Sequence, residues 1–111
     1  MNLHRLAEER SLEYHRLVAQ RLGRDPALLD AARRRVAAWI AGSHVAGAPH
    51  PHYAQAWSVL LASPLPVLQA SLVDPGPEAI ALRQVTPFAG AISPRVRWNL
   101  WREVRQRHAG V

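Results

Sequence analysis

The placement of proline constrains this chain more than any other feature. Five of its nine prolines follow a capping or loop residue, at Asp25-Pro26, His50-Pro51, Ser63-Pro64, Gly76-Pro77 and Ser93-Pro94. Proline costs nothing at the first helical position, because its missing N–H would have no partner there, and Asp or Ser before it can accept from the free amides of the first turn. Each pair therefore reads as a helix start.

Apolar spacing agrees with that division. Tyr14, Leu17, Val18 and Leu22 recur at three and four residues, and so do Leu29, Ala32, Val36, Trp39 and Ile40, with Gly23 and Gly42 closing the two segments. A third helix from about Pro51 puts Tyr53, Trp57, Leu60 and Leu61 on one stripe. A fourth from Pro64 offers Leu65, Leu68 and Leu72, and a short fifth from Pro77 offers Ile80 and Ala81. A last helix from Pro94 to about His108 groups Val96, Leu100, Trp101 and Val104. No segment alternates with period two for long enough to make a strand. The reading is all-α, a compact single-domain bundle of five to six short helices spanning residues 1–111, a length suited to one core.

Composition narrows the function. Cysteine is absent, which excludes a disulfide framework, a thiolate metal site and a cysteine nucleophile. Met1 to Arg10 is charged and polar, unlike a signal peptide, and Val36 to Val73 is broken by four prolines, so the expected setting is cytoplasmic with no membrane partner. The net charge is +6 and every basic side chain counted in it is arginine, whose planar fork suits carboxylate or phosphate. Residues 1–35 hold eight Arg against five acids, residues 36–94 only Arg83, Asp74 and Glu78, and residues 95–107 five Arg against Glu103.

No catalytic constellation emerges. Glu8, Glu9 and Glu13 lie among arginines at helical spacing, Asp25 is a cap, Asp74 is in a turn, and no serine sits on a strand-turn-helix elbow. The expectation is a chain that is not an enzyme and has no cofactor. His44, His50 and His52 crowd one loop, but their spacing is not a usual ligand pair, so no metal ligand is assigned.

Two stretches carry most of the recognition chemistry. In "LRQVTPFAG", residues 82–90, Pro87 pushes Thr86 out of the helical region and Gly90 can supply positive φ. Phe88 then either plugs the core or anchors a rigid loop that presents Arg83, Gln84 and Thr86 to a partner. In the last helix, Arg95, Arg97, Arg102 and Arg105 alternate with Trp98 and Trp101, and Trp98 falls off the apolar stripe. That helix could rest on phosphates, but the only helix-turn-helix candidate, Tyr53 to Leu72, has an uncharged second helix expected to be buried.

At Leu82-Arg83-Gln84, Thr86-Pro87-Phe88-Ala89-Gly90 and Pro94-Arg95-Val96-Arg97-Trp98 the chain resembles a group of small bacterial antitoxin-like proteins. Their genes lie beside nucleotidyltransferase-like or similar toxin genes. "HRLVAQRLGRDPALLDAARRRVAAWI" and "HYAQAW" fit the same group, while the His/Pro loop before His52 is longer. The resemblance implies a non-catalytic antitoxin that binds and neutralises a cognate toxin. The expected interface is Arg83, Gln84, Thr86, Phe88, Arg95, Arg97, Trp98, Trp101, Arg102 and Arg105. The alternative is a nucleic-acid-binding regulator using the last helix, and by family analogy the complex could also occupy its own operator DNA.

Overall fold

The computed structural model describes residues 3–42 and 47–109. Six helices follow in order: α1 (Leu3–Leu22), α2 (Pro26–Ile40), α3 (Pro51–Leu61), α4 (Leu65–Leu72), α5 (Pro77–Gln84) and α6 (Pro94–Ala109), with no strand among the described residues. None of these helices is long and apolar enough to cross a membrane.

The proline starts work as local chemistry dictates, with two departures. Asp25 Oδ1 accepts from the Ala27 amide and His50 Nδ1 from the His52 amide, so Pro26 and Pro51 stand first in α2 and α3. Ser93 Oγ accepts from the Val96 amide at the head of α6. Ser63 behaves differently: its hydroxyl donates back to Val59 O, Pro64 becomes the cap residue, and α4 begins one residue later than expected, at Leu65. Gly76 has no side chain to cap α5 and is held instead by Asp74, whose Oδ1 accepts from the Gly76 amide. Gly42, at φ +73°, turns the chain out of α2.

The longest helix, α1, is the axis of the bundle, and α2, α4, α5 and α6 all pack against it, while α3 lies on α2 and α4. One cluster joins them: Tyr14, Val18 and Leu22 of α1, Ala32 and Val36 of α2, Trp57 and Leu61 of α3, Leu68 and Leu72 of α4, Leu82 of α5, then Phe88 and Ile92. Trp57 and Phe88 meet edge to face with ring centroids 6.0 Å apart, the geometry that aromatic quadrupoles favour. In α4 the buried side is Leu68 and Leu72, and the exposed side is Pro66, Val67 and Ala70. The expectation of a buried α4 thus holds for one face only. Its polar side chains are tied into the protein, Gln69 Nε2 donating to Ala19 O and Ser71 Oγ to Val67 O, which makes α4 a poor helix for reading bases.

Phe88 is 1% exposed and fills the centre of this cluster. Truncating it removes a full ring from a packed interior. Phe88→Ala is expected to cost about 3–5 kcal/mol of unfolding free energy in urea titrations, enough to unfold a domain at the weak end of the usual range.

Candidate functional site

The 82–90 corner is where sequence chemistry and structure part company. Its backbone leaves α5, crosses Pro87 and turns at Gly90, which has φ +82°. That path buries peptide groups with no helical partner, and side chains from distant elements satisfy them. Tyr14 O–H donates to Phe88 O at 2.7 Å. One Arg35 nitrogen, Nη1, donates to Pro87 O at 3.0 Å and to Ala89 O at 2.9 Å. Thr86 Oγ1 accepts from the Phe88 amide at 3.1 Å.

A second chain of bonds starts from the same hydroxyl. His15, 1% exposed on α1, places Nδ1 2.7 Å from Ser11 O and Nε2 2.8 Å from Thr86 Oγ1. A carbonyl oxygen can only accept, so Nδ1 carries the ring proton, Nε2 offers its lone pair, and Thr86 O–H donates to it. Burial pushes the His15 pKa down to about 4; its bond to Ser11 opposes that shift, and the nearby positive charge of Arg83 adds to it.

Arg83 also turns inward. It is 6% exposed, and Nη1 donates to Leu72 O at 3.3 Å and to Asp74 O at 2.7 Å, closing carbonyls at the end of α4. Burial pulls its pKa below the usual value, while Asp74 and Glu8 oppose the shift. Two of the residues expected to be presented to a partner therefore face the protein: Thr86 spends its hydroxyl on His15 and the Phe88 amide, and Arg83 spends Nη1 on Leu72 O and Asp74 O; Phe88, placed in the expected interface, takes the other reading that the sequence offered and plugs the core. Of the expected corner residues only Gln84 is exposed. The physical reason is that an irregular buried corner needs donors more than a surface does.

Helix α6 distributes its residues between two faces. Arg95, Trp98, Arg102 and Arg105 follow one another at intervals of three and four and are all exposed, Trp98 at 60%. Arg97 and Trp101 are half-buried on the face turned to α1, where Val104 is fully buried and His108 reaches Glu9 at 2.7 Å. There the two residues meet Arg10 of α1. The guanidinium carbon of Arg97 lies 5.1 Å from the Trp101 ring centroid and that of Arg10 5.6 Å, both within cation–π range. Between α1, the corner and α6 is a groove of about 350 Å³, lined in part by Arg10, Ser11, Thr86, Gly90, Arg97 and Trp101.

Sequence reasoning passed over His15, Arg10 and Arg35. Periodicity offered a signal for His15, which stands three residues before Val18 and seven before Leu22, on their buried stripe. No comparable local signal marks Arg35, whose acceptors lie 52 and 54 residues away. Of the histidine loop, His44 lies outside the described residues, His50 is the α3 cap, and His52 Nε2 approaches Glu78 Oε1 at 3.7 Å.

Two measurements check this account of the corner. A buried base whose pKa is lowered binds its proton less readily folded than unfolded, so the unfolded chain takes up the extra proton between the ordinary value of 6.5 and about 4. His15 therefore makes stability fall as pH drops through that window, by on the order of 3 kcal/mol, with no contribution to pH dependence above it. Denaturant midpoints measured from pH 7.5 to 4 should show this slope, and His15→Gln should flatten it. Arg83→Met keeps bulk but loses both carbonyl bonds; roughly 2–4 kcal/mol of destabilisation is expected in the same assay.

No protein-family model, curated protein or solved structure matches this chain.

Proposed function

We propose that this chain is an antitoxin-like binding protein that holds a cognate protein partner through the outward stripe of α6, with Gln84 at its margin. The observation that carries the reading is Trp98: a large aromatic, 60% exposed, standing between arginines on a helix whose other face is already buried against α1. Leaving an indole in water gains nothing for folding, and Trp and Arg are the residues that dominate binding energy when a partner covers them. The nearest carboxylate on the helix is Glu103, so the stripe suits a surface rich in Asp and Glu. The antitoxin character itself rests on the resemblance of "LRQVTPFAG" and "PRVRW" to those proteins, and the partner it implies is a toxin acting on nucleotides or RNA. The bond inventory of the corner supports a scaffolding role there, with binding assigned to α6.

The same arginines favour a second reading, in which the stripe lies on nucleic-acid phosphates. The two differ in their response to salt, because phosphate binding releases counterions and weakens steeply with ionic strength, whereas an interface centred on a buried tryptophan persists.

Co-expression with the product of the adjacent gene tests the proposal. The partner should co-purify with this chain and lose its toxicity, and the complex should survive salt at about 0.5 M, where the Debye length falls to roughly 4 Å. Trp98→Ala is expected to weaken the complex by about 2 kcal/mol, roughly 30-fold in Kd, while altering stability by no more than about 0.5 kcal/mol. A neighbouring gene product that neither co-purifies nor is neutralised would overturn the proposal, and retention of short duplex DNA only at low salt would support the second reading in its place.

A further inference from the structure

The groove between α1, the corner and α6 has an uncompensated charge. Three of the residues lining it are arginines, and none is Asp or Glu. The carboxylates of α1 are taken elsewhere: Glu8 by His4 at 3.0 Å, Glu9 by His108 at 2.7 Å, and Glu13 by Arg16 at 2.7 Å. Arg83 is occupied at the back of the groove by Leu72 O and Asp74 O. His15, with its pKa near 4, is neutral at physiological pH and adds no charge. Two guanidinium groups remain, Arg10 and Arg97, both lining the groove and each within cation–π range of the Trp101 ring.

Neither Arg10 nor Arg97 has a carboxylate partner among the described residues. Arg10 Nε is also buried without a hydrogen-bond acceptor, the one such side-chain atom found among them. A donor removed from water with no acceptor costs free energy, and a charged one more. Ser11, at the groove wall, likewise uses its carbonyl on His15, while its hydroxyl has no partner among the described residues.

We propose that this groove binds a small phosphate monoester, with the phosphate held by the Arg10 and Arg97 forks and the Ser11 hydroxyl. Charge decides the ligand class. Two guanidiniums balance a phosphate dianion, whereas a single carboxylate leaves one cation unpaired in a partly desolvated site. Geometry agrees, because an arginine fork accepts two phosphate oxygens at once. Size agrees as well: about 350 Å³ is at the small end of ligand pockets and suits a nucleoside monophosphate or smaller, with the Trp101 indole available as an apolar wall. This site lies on a different face of α6 from the Trp98 stripe, so it stands or falls independently of the toxin-binding proposal.

The test is a titration of the full chain, carrying ¹⁵N-labelled tryptophan, with inorganic phosphate, with adenosine monophosphate and with adenosine, at constant ionic strength. The Trp101 indole N–H resonance, assigned by Trp101→Phe, should shift saturably with the two phosphate compounds at concentrations up to about 10 mM and stay still with adenosine, with the Trp98 resonance unmoved. A larger shift with the nucleotide than with phosphate marks a seat for the organic group, and equal shifts mark a site for the phosphate alone; either supports the proposal. Arg97→Gln should weaken binding at least tenfold, and Arg97→Lys, which keeps the charge and loses the fork, should weaken it by less. Trp98→Ala should leave the titration unchanged. The proposal is overturned if neither phosphate compound produces a saturable shift, if Trp98 moves as much as Trp101, or if Arg97→Gln binds as the parent does.

Discussion

The constraint on which this bundle rests is the supply of donors to three successive carbonyls, those of Pro87, Phe88 and Ala89. Between α5 and α6 an irregular segment carries Phe88 into the centre of the core. Burying the ring also draws in the backbone before it, with Pro87 buried, while Ala89 returns to the surface. Arg35 from α2 donates to the Pro87 and Ala89 oxygens, Tyr14 from α1 and the Ala91 amide to the Phe88 oxygen, and the Phe88 amide is met by Thr86, which is itself held by His15. The buried contact of Trp57 against Phe88 thus sits among hydrogen bonds that two other helices help to supply.

Arginine does similar work at the helix ends. Arg33 donates from Nε and Nη2 to Leu61 O at the end of α3, Arg83 donates to Leu72 O and Asp74 O after α4, and the Trp57 indole donates to Leu82 O in α5. The last carbonyls of short helices make up a large share of their polar groups, and a positive charge at that end also complements the helix dipole. Helix ends as close together as those of α3, α4 and α5 gain from residues that carry several donors on a long apolar stem. Part of the arginine content that suggested partner binding is therefore structural.

This explains which features could be read from the sequence and which could not. Helix starts at Pro26, Pro51, Pro77 and Pro94 depend on groups within a few residues, and the apolar stripes depend on a local period, so both were legible. Ser63 misled because its hydroxyl had two local choices, the next turn's amides or Val59 O behind it, and composition does not rank them. Arg83 misled for a different reason. A lone charge in a nearly uncharged block looks like a surface feature, yet its acceptors come from a turn whose position depends on the whole fold. Thr86 finds its partner 71 residues away, and Arg10 reaches the Trp101 ring only through α6 packing on α1, beyond the reach of any periodic pattern.

Under the two proposals, helix α6 would carry two kinds of recognition on separate faces. It is held to α1 by the Glu9–His108, Glu13–Arg107 and Arg10–Trp101 contacts, which with the burial of Val104 set the rotation of the helix about its own axis. With that rotation set, the three- and four-residue intervals send Arg95, Trp98, Arg102 and Arg105 outward, and Arg97 with Trp101 toward the groove. A protein covering the outer stripe would leave the groove open at its corner end. A ligand in the groove would touch Arg97 and Trp101 but not Trp98, and could act on the stripe only by tightening the α1–α6 contact. Any coupling between the two faces would pass through the contacts that hold α6 to α1, the Glu9–His108 pair among them.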